Sequence, residues 1–276
     1  MTVYPTKGVG PSNWVKFTNL FQEAGPIDKL NILAYITEIV VYRITKKRLR
    51  KYFRIHLYGL TFLVKTHNMD LEFIHEIFGR HVYDHLPAFV VQAGQVCLDI
   101  GANIGCVSLL WASHNRSGTI LALEPHPETF ARLKTNLALN QVKNVIPLQY
   151  AVAQVSGPIS MELSDSTSMA RTSDNPIGSM EHASSVILEG YALDDLVRKY
   201  KLQKIDLLKI DVEGFEVECL RGAVETLCIT DRIILEYHSE ALREQCLAIL
   251  SVAGFRVREV REYAICGLFF AQKASS

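Results

Sequence analysis

From Pro87 onward the chain alternates between short apolar runs and amphipathic segments, and this rhythm limits the available folds more than any other feature. The runs are "VCLDI", "TILALE", "VIPLQY", "IDLLKIDV" and "RIILEYH". Helical periodicity over 103–113, 127–140 and 239–253, and a short helix after "IDLLKIDV", fill the spaces between them. Runs that are apolar throughout read as strands buried on both faces, and strands joined by helices pair in parallel. The expected fold class is therefore α/β: a Rossmann-like, mostly parallel sheet with helices on both faces. The closing runs "FRVREV" and "AICGLFFAQK" have no helix between them, so the last strand is expected to return antiparallel. The polar, Ser/Thr-rich residues 164–185 break the rhythm, and a loop of that length is expected to bear on function. At 276 residues and 49% hydrophobic, the chain can bury one such domain plus an extension.

The extension is expected to occupy residues 1–86, with the main domain at 87–276. Residues 1–26 are punctuated by Gly and Pro and read as loosely structured. "DKLNILAYITEIVVY", Asp28 to Tyr42, is helical in pattern, too short to span a bilayer and interrupted by Glu38. A basic run follows: Arg43, Lys46, Lys47, Arg48, Arg50, Lys51 and Arg54. It reads either as a solvated helix end or as a peripheral contact for an anionic membrane or acidic substrate. "FRIHLYGLTFLVKT" alternates like a hairpin with Gly59 at its turn, and "DLEFIHEIFGRHVYDHL" reads as a helix with Asp70 as its N-cap. Zero formal net charge argues against a nucleic-acid partner. The six cysteines form no CxxC pair, and the N-terminus lacks the apolar core of a signal peptide, so a reducing, cytoplasmic setting is expected.

The first strand of the main domain ends in "LDIGANIG". A buried strand needs no terminal carboxylate, and a helix start needs no glycine at both 101 and 105. The turn reads D-x-G-x-x-x-G, which is neither the G-x-G-x-x-G of a dinucleotide site nor a P-loop. Ligands of doubly wound sheets bind beyond the carboxyl ends of the strands, at the switch point. A ligand carrying an ammonium group, as S-adenosylmethionine does, accounts for Asp99 directly or through water. Gly101 allows the sharp turn, and Gly105 lets the helix start lie close to the ligand. The second strand ends at Glu124, twenty-five residues after Asp99. An acid there accepts from both ribose hydroxyls, or is simply a favourable charge ahead of a helix beginning at Pro127.

"DIGANIG", "LEPHPETFARLKTNL", "YALDDL" and above all "LLKIDVEGFEVECLRGA" resemble the FkbM-type methyltransferases, over about residues 52–240. The resemblance implies a class I methyltransferase sheet with S-adenosylmethionine as cofactor. It also implies methylation of a hydroxyl on a small molecule, since the namesake acts on a polyketide macrocycle and relatives act on sugars and other natural products. The acceptor is then sugar-, lipid- or polyketide-like. The lead-in to the domain resembles the family's segment that ends in a tyrosine near the cofactor, here Tyr83. The expected cofactor contacts are Asp99, Gly101, Asn103, Gly105, Glu124, Pro125, Ala151 and Tyr83. Ala151 follows the third strand, where other methyltransferases often carry an acid, so adenine recognition falls to backbone or other side chains.

Methyl transfer to a hydroxyl gains from a general base within hydrogen-bond reach. The fourth strand delivers Lys209, Asp211 and Glu213, and the fifth delivers Glu236 and His238. The expected catalytic residues are Asp211, His238 and Glu213, with His238 as a neutral-pH base and Asp211 as base or orienter. Lys209 and Asp211 share a strand face and can instead form a structural ion pair. His238 can equally be a helix cap. Asp211, Glu236 and His238 can also assemble a divalent-metal site, but such sites draw on several acidic or amide ligands that the sequence does not place, and His75, His81 and His85 do not fit H-E-x-x-H, so the expected reading is without a metal. Two other readings remain open: a nicotinamide-dependent oxidoreductase on the same architecture, and a non-catalytic S-adenosylmethionine-binding protein. The glycine spacing disfavours the first.

Overall fold

The computed structural model describes residues 25–47, 49–66, 68–163, 171–172, 184–261 and 266–274. The expectations for 1–24 and for most of the 164–185 segment lie outside these residues. The described chain begins with α1 (Pro26–Thr45), a hairpin of β1 (Tyr52–Leu57) and β2 (Leu60–Lys65), and α2 (Asp70–Phe78). The hairpin turn is two residues long, Tyr58 and Gly59, both at positive φ, a twist that matches the flanking strands.

The main domain follows as β3 (Val96–Ile100), α3 (Cys106–His114), β4 (Thr119–Leu123), α4 (Pro127–Leu139) and β5 (Val145–Leu148). An inserted unit comprises β6 (Ala151–Val152), β7 (Gly157–Leu163), β8 (Arg171–Thr172) and β9 (Ser184–Tyr191), a four-stranded sheet in the order β6-β9-β7-β8. Then come α5 (Leu193–Tyr200), β10 (Leu207–Ile210), α6 (Glu216–Arg221), α7 (Val224–Cys228), β11 (Arg232–Tyr237), α8 (Glu240–Val252), β12 (Phe255–Arg261) and β13 (Gly267–Lys273).

The main sheet runs β12-β13-β11-β10-β3-β4-β5, and only β13 is antiparallel to its neighbours. The α/β expectation and the antiparallel return of the last strand are both met. From β3 the chain moves outward to β4 and β5, and later resumes on the other side at β10. The crevice between β3 and β10 is thus the switch point.

Strand alternation sorts the core onto two faces. Cys97, Ile120, Leu207 and Ile234 belong to one apolar cluster, which also contains Trp111, Ile32, Phe53, Phe62 and Leu71. Leu98, Leu121, Leu208 and Leu235 belong to the other, with Leu196, Leu220 and Phe269. The hairpin, α1 and α2 therefore bury their apolar sides in the same core as one face of the sheet.

Asp70 is not the cap of α2. The N-cap position falls on Met69, and Asp70 lies one residue inside, fully buried. Its carboxylate accepts from the Arg132 guanidinium on α4 and from the Lys65 backbone N–H at 2.7 Å. A buried guanidinium needs a buried anion, and that requirement overrides capping.

Candidate functional site

Opposite charges face each other across the switch point. Lys209 on β10 lies in register with Asp99 on β3, and both side chains point to the same face. Lys209 is buried, its Nζ 2.7 Å from the Gly101 carbonyl, 3.3 Å from Asp99 Oδ1 and 3.3 Å from Asp211 Oδ2. Burial pulls the Lys209 pKa down, but the carboxylates of Asp211, Asp99 and Glu236 outweigh it and hold the ammonium up to about 12. The Lys209–Asp211 ion pair is present, and it is shared with Asp99.

Asp99 itself is fully buried beneath the crevice. Its Oδ2 accepts from Ser108 Oγ at 2.6 Å. It does not line the cavity above, and its neighbouring cation is the Lys209 ammonium at 3.3 Å. Gly101 takes φ +77°, and a Cβ there would overlap the Asp211 carbonyl oxygen, so the glycine is demanded by the close approach of the two strand ends. Gly105 takes φ +90°, and its missing Cβ makes room for Leu133 of α4.

A cavity of about 290 Å³ opens above this junction. The loop after β3 contributes Gly101, Ala102 and Asn103, and β10 and β11 contribute Lys209, Asp211, Glu213, Glu236 and His238. Tyr83 and the α2 residues Glu72, Phe73 and Glu76 form the opposite wall. Asn103 has φ +50°, and its buried Oδ1 has no hydrogen-bond partner, leaving an acceptor for a ligand donor. Its backbone N–H donates to Glu124 Oε2 at 2.9 Å, while Glu124 Oε1 accepts from His126 N at 2.9 Å. Burial raises Glu124 to about 7 against the pull of those two N–H groups. Glu124 is not among the residues lining the cavity, but each of its oxygens keeps a further lone pair, the chemistry that a ribose diol requires. Pro125 follows Glu124, half-buried, and does not line the cavity. Ala151 pairs with Gly190 in the inserted sheet and also lies off the cavity lining.

The far end of the cavity is rich in carboxylates. Tyr83 Oη donates to Glu236 Oε2 at 3.2 Å. Burial, then the charges of Glu236 and Asp211, raise the Tyr83 pKa, and burial, then Asp211, push Glu236 up to about 8. Glu213 stands at φ +52°, a conformation a glutamate rarely adopts, and burial followed by Asp211 raises it to about 7. His238 Nε2 lies 3.8 Å from Asp211 Oδ1 and 3.5 Å from Glu213 Oε2, while Nδ1 is 2.8 Å from Glu216 Oε1. Burial alone would lower the His238 pKa; the Glu216 hydrogen bond and the charges of Asp211, Glu216 and Glu213 raise it to about 10. The surrounding carboxylates thus favour the imidazolium form of His238 over the free base. Asp211, Glu213 and His238 offer ligand atoms within 4.8 Å of one another, a spacing that can also hold a divalent ion.

Asp211, Glu213, His238, Asn103, Gly101 and Tyr83 thus converge on one cavity. Sequence reasoning missed Glu216 and Ser108, which orient His238 and Asp99. Glu216 stands three residues after Glu213 in "VEGFE", and that spacing is the one local signal for it.

The strand order, with its single antiparallel strand next to the edge, and an acid closing β4 beside a glycine turn after β3 define a class I S-adenosylmethionine-dependent methyltransferase. The sequence model of the methyltransferase FkbM domain matches residues 99–263, and the chain belongs to that family. Among its relatives is the hexuronic acid methyltransferase AglP of Haloferax volcanii, 31% identical over 162 residues. That match covers 59% of this chain and 64% of the relative, slightly under two thirds of its length. Methyltransferase sdnD of Sordaria araneosa is 30% identical over 234 residues, covering 71% of this chain and 86% of that one. The 2-O-methyltransferase NoeI of Sinorhizobium fredii is 26% identical over 184 residues, covering 62% and 74%. Membership of a methyltransferase family sets aside the oxidoreductase reading.

Proposed function

We propose that this protein methylates a hydroxyl group of a sugar-like small molecule, with residues 87–276 as the catalytic domain and the segment before it as a cover over the site. The observation that carries the reading is the carboxylate end of the cavity, where Asp211, Glu213 and Glu236 surround a space bordered by Tyr83. Carboxylates there accept the hydrogen bonds of a polyol and take up the proton its hydroxyl loses. Two relatives, a hexuronic acid methyltransferase and a 2-O-methyltransferase, point the same way.

When bound, S-adenosylmethionine supplies the methyl group as an electrophile. Asn103, Tyr83 and the Gly101–Asn103 backbone would hold it from the cavity wall, while Glu124 and Asp99, just off that lining, would act beside the Asn103 turn and beneath Lys209. Asp211, set by Lys209, is the base in this reading. His238, with Nε2 3.8 Å from Asp211 and 3.5 Å from Glu213, orients both carboxylates in this reading. Membrane-spanning segments do not enter the reading, since among the described residues no helix is long and apolar enough to cross a bilayer.

The test is methyl transfer from labelled S-adenosylmethionine to a panel of uronic acids, neutral sugars and amino sugars, with products mapped by mass spectrometry. Methyl ethers are expected, unaffected by a chelator. Asp211→Asn is expected to cut turnover by roughly 10²–10⁴ while cofactor affinity stays within a few fold. Methylation confined to amines would overturn the hydroxyl reading, and activity lost to the chelator and restored by magnesium or manganese would make the His238 cluster a metal site.

A further inference from the structure

The helix α1 presents two unlike faces. Ile32, Tyr35 and Glu38 turn inward and are buried, with Glu38 Oε1 accepting from Leu49 N at 2.8 Å. Leu30, Leu33, Val40 and Ile44 turn outward at helical spacing, and Ile27 and Leu49 extend the stripe at either end. Leu30 is 67% exposed, Ile44 77% and Leu49 72%. These six are half of the twelve large apolar side chains exposed among the described residues, gathered within one short stretch. So dense a concentration of exposed apolar side chains marks an interaction surface.

Charge identifies the occupant. The segment 43–54 carries seven basic residues and no acidic one, in a chain of zero net charge. Arg43, Lys46, Lys47 and Arg50 are exposed where the apolar stripe ends. The two acids of α1 both turn toward the protein: Asp28 accepts from the His56 backbone N–H at 2.9 Å, and Glu38 is buried. A second copy of this face would bring no counter-charge to the basic run, whereas an anionic lipid surface supplies one. A one-sided apolar stripe with a basic flank is the pattern of a helix lying in the plane of a bilayer interface.

We propose that α1 and the basic run form a docking face for anionic phospholipid membranes. The face is tied to the site, because Tyr35 Oη donates to the Asn68 carbonyl at 3.5 Å, beside Met69, which lines the cavity and is half exposed. This inference is independent of which acceptor is methylated.

The test is co-sedimentation of the full chain with phosphatidylcholine vesicles, with and without phosphatidylglycerol, at low and high salt. Binding is expected only with phosphatidylglycerol present, and it should weaken with salt. Replacing Lys46, Lys47 and Arg50 by Gln should cut partitioning on the order of a hundredfold. Leu30→Asp with Ile44→Asp should abolish it while the basic run stays intact. Thermal unfolding of each variant confirms the fold, and the Gln variant decides the matter should the Asp variant fail to fold. No sedimentation with phosphatidylglycerol vesicles, equal binding to neutral vesicles, or unchanged binding in the Gln variant overturns the proposal. So does a concentration-dependent dimer, seen by analytical ultracentrifugation, that the Asp variant abolishes without a change in vesicle binding.

Discussion

At the scale of single residues, backbone contact and local charge decide what each position tolerates. Gly101 combines a left-handed φ with direct contact against the Asp211 carbonyl. Gly101→Ala is expected to destabilise the protein by roughly 2–4 kcal/mol, read as a lowered urea midpoint, because the strand ends of β3 and β10 must separate. Loss of cofactor affinity in that variant then follows from displacement of the Gly101–Asn103 backbone that lines the cavity, not from a blocked methionine pocket. An unchanged midpoint would contradict the close packing at the junction. His238 gives a second test. Its folded pKa of about 10 lies above the ordinary 6.5. A raised pKa means that protonated His238 stabilises the fold fully below pH about 6.5, and the contribution is lost as pH rises through about 10. Glu236, raised to about 8, and Glu213, raised to about 7, add a loss of the same sign at lower pH. Unfolding free energy is expected to fall across this window, and His238→Gln should flatten its upper part. An identical slope in the variant would remove His238 from the account.

At the scale of elements, the parallel strands were legible because continuous apolar runs admit few alternatives. Helices 127–139 and 240–252 fall within a residue of their expected bounds, and α3 begins at Cys106 because residues 101–105 are spent on the turn. The inserted sheet was not legible. "GPISMEL" and "SSVILEGY" alternate in strand fashion but are short and partly polar, and their pairing joins residues far apart in sequence. Asp70 was misread for a related reason, since local sequence offers a cap and only the fold brings Arg132 to it. That pair fastens α2, a wall of the cavity, to α4 from within the core. Asp70→Asn leaves a buried guanidinium without its anion, and a cost of about 3–5 kcal/mol is expected. Equilibrium unfolding in denaturant measures it. A loss below about 1 kcal/mol would mean that the pair is dispensable and that apolar packing alone seats α2.

Across the whole molecule, the legible part of the site is what chain order dictates. Asp211, Glu213 and His238 end adjacent strands, and the switch point brings them together. What stayed hidden is how charge is distributed there. Among the described residues, Asp99, Asp211, Glu213, Glu216 and Glu236 face Lys209 and His238 as cations, and burial, then the Asp211 charge, leaves Glu236 at about 8 and Glu213 at about 7. Near neutral pH part of the excess negative charge is therefore relieved by protons. A cationic ligand entering the cavity competes with those protons, because its field lowers the pKa of each neighbouring carboxyl. S-adenosylmethionine carries a sulfonium charge that S-adenosylhomocysteine lacks, while the rest of the two molecules is alike. Binding of the first is expected to release up to about one proton, and binding of the second distinctly fewer. Calorimetric titration in buffers of different ionisation enthalpy counts those protons directly. Glu236→Gln removes the group with the higher of the two raised values and should reduce the release on the alkaline side. Equal proton release for both ligands would show that the carboxylate cluster does not sense the charge of the cofactor, and the electrostatic account of this cavity would have to be abandoned.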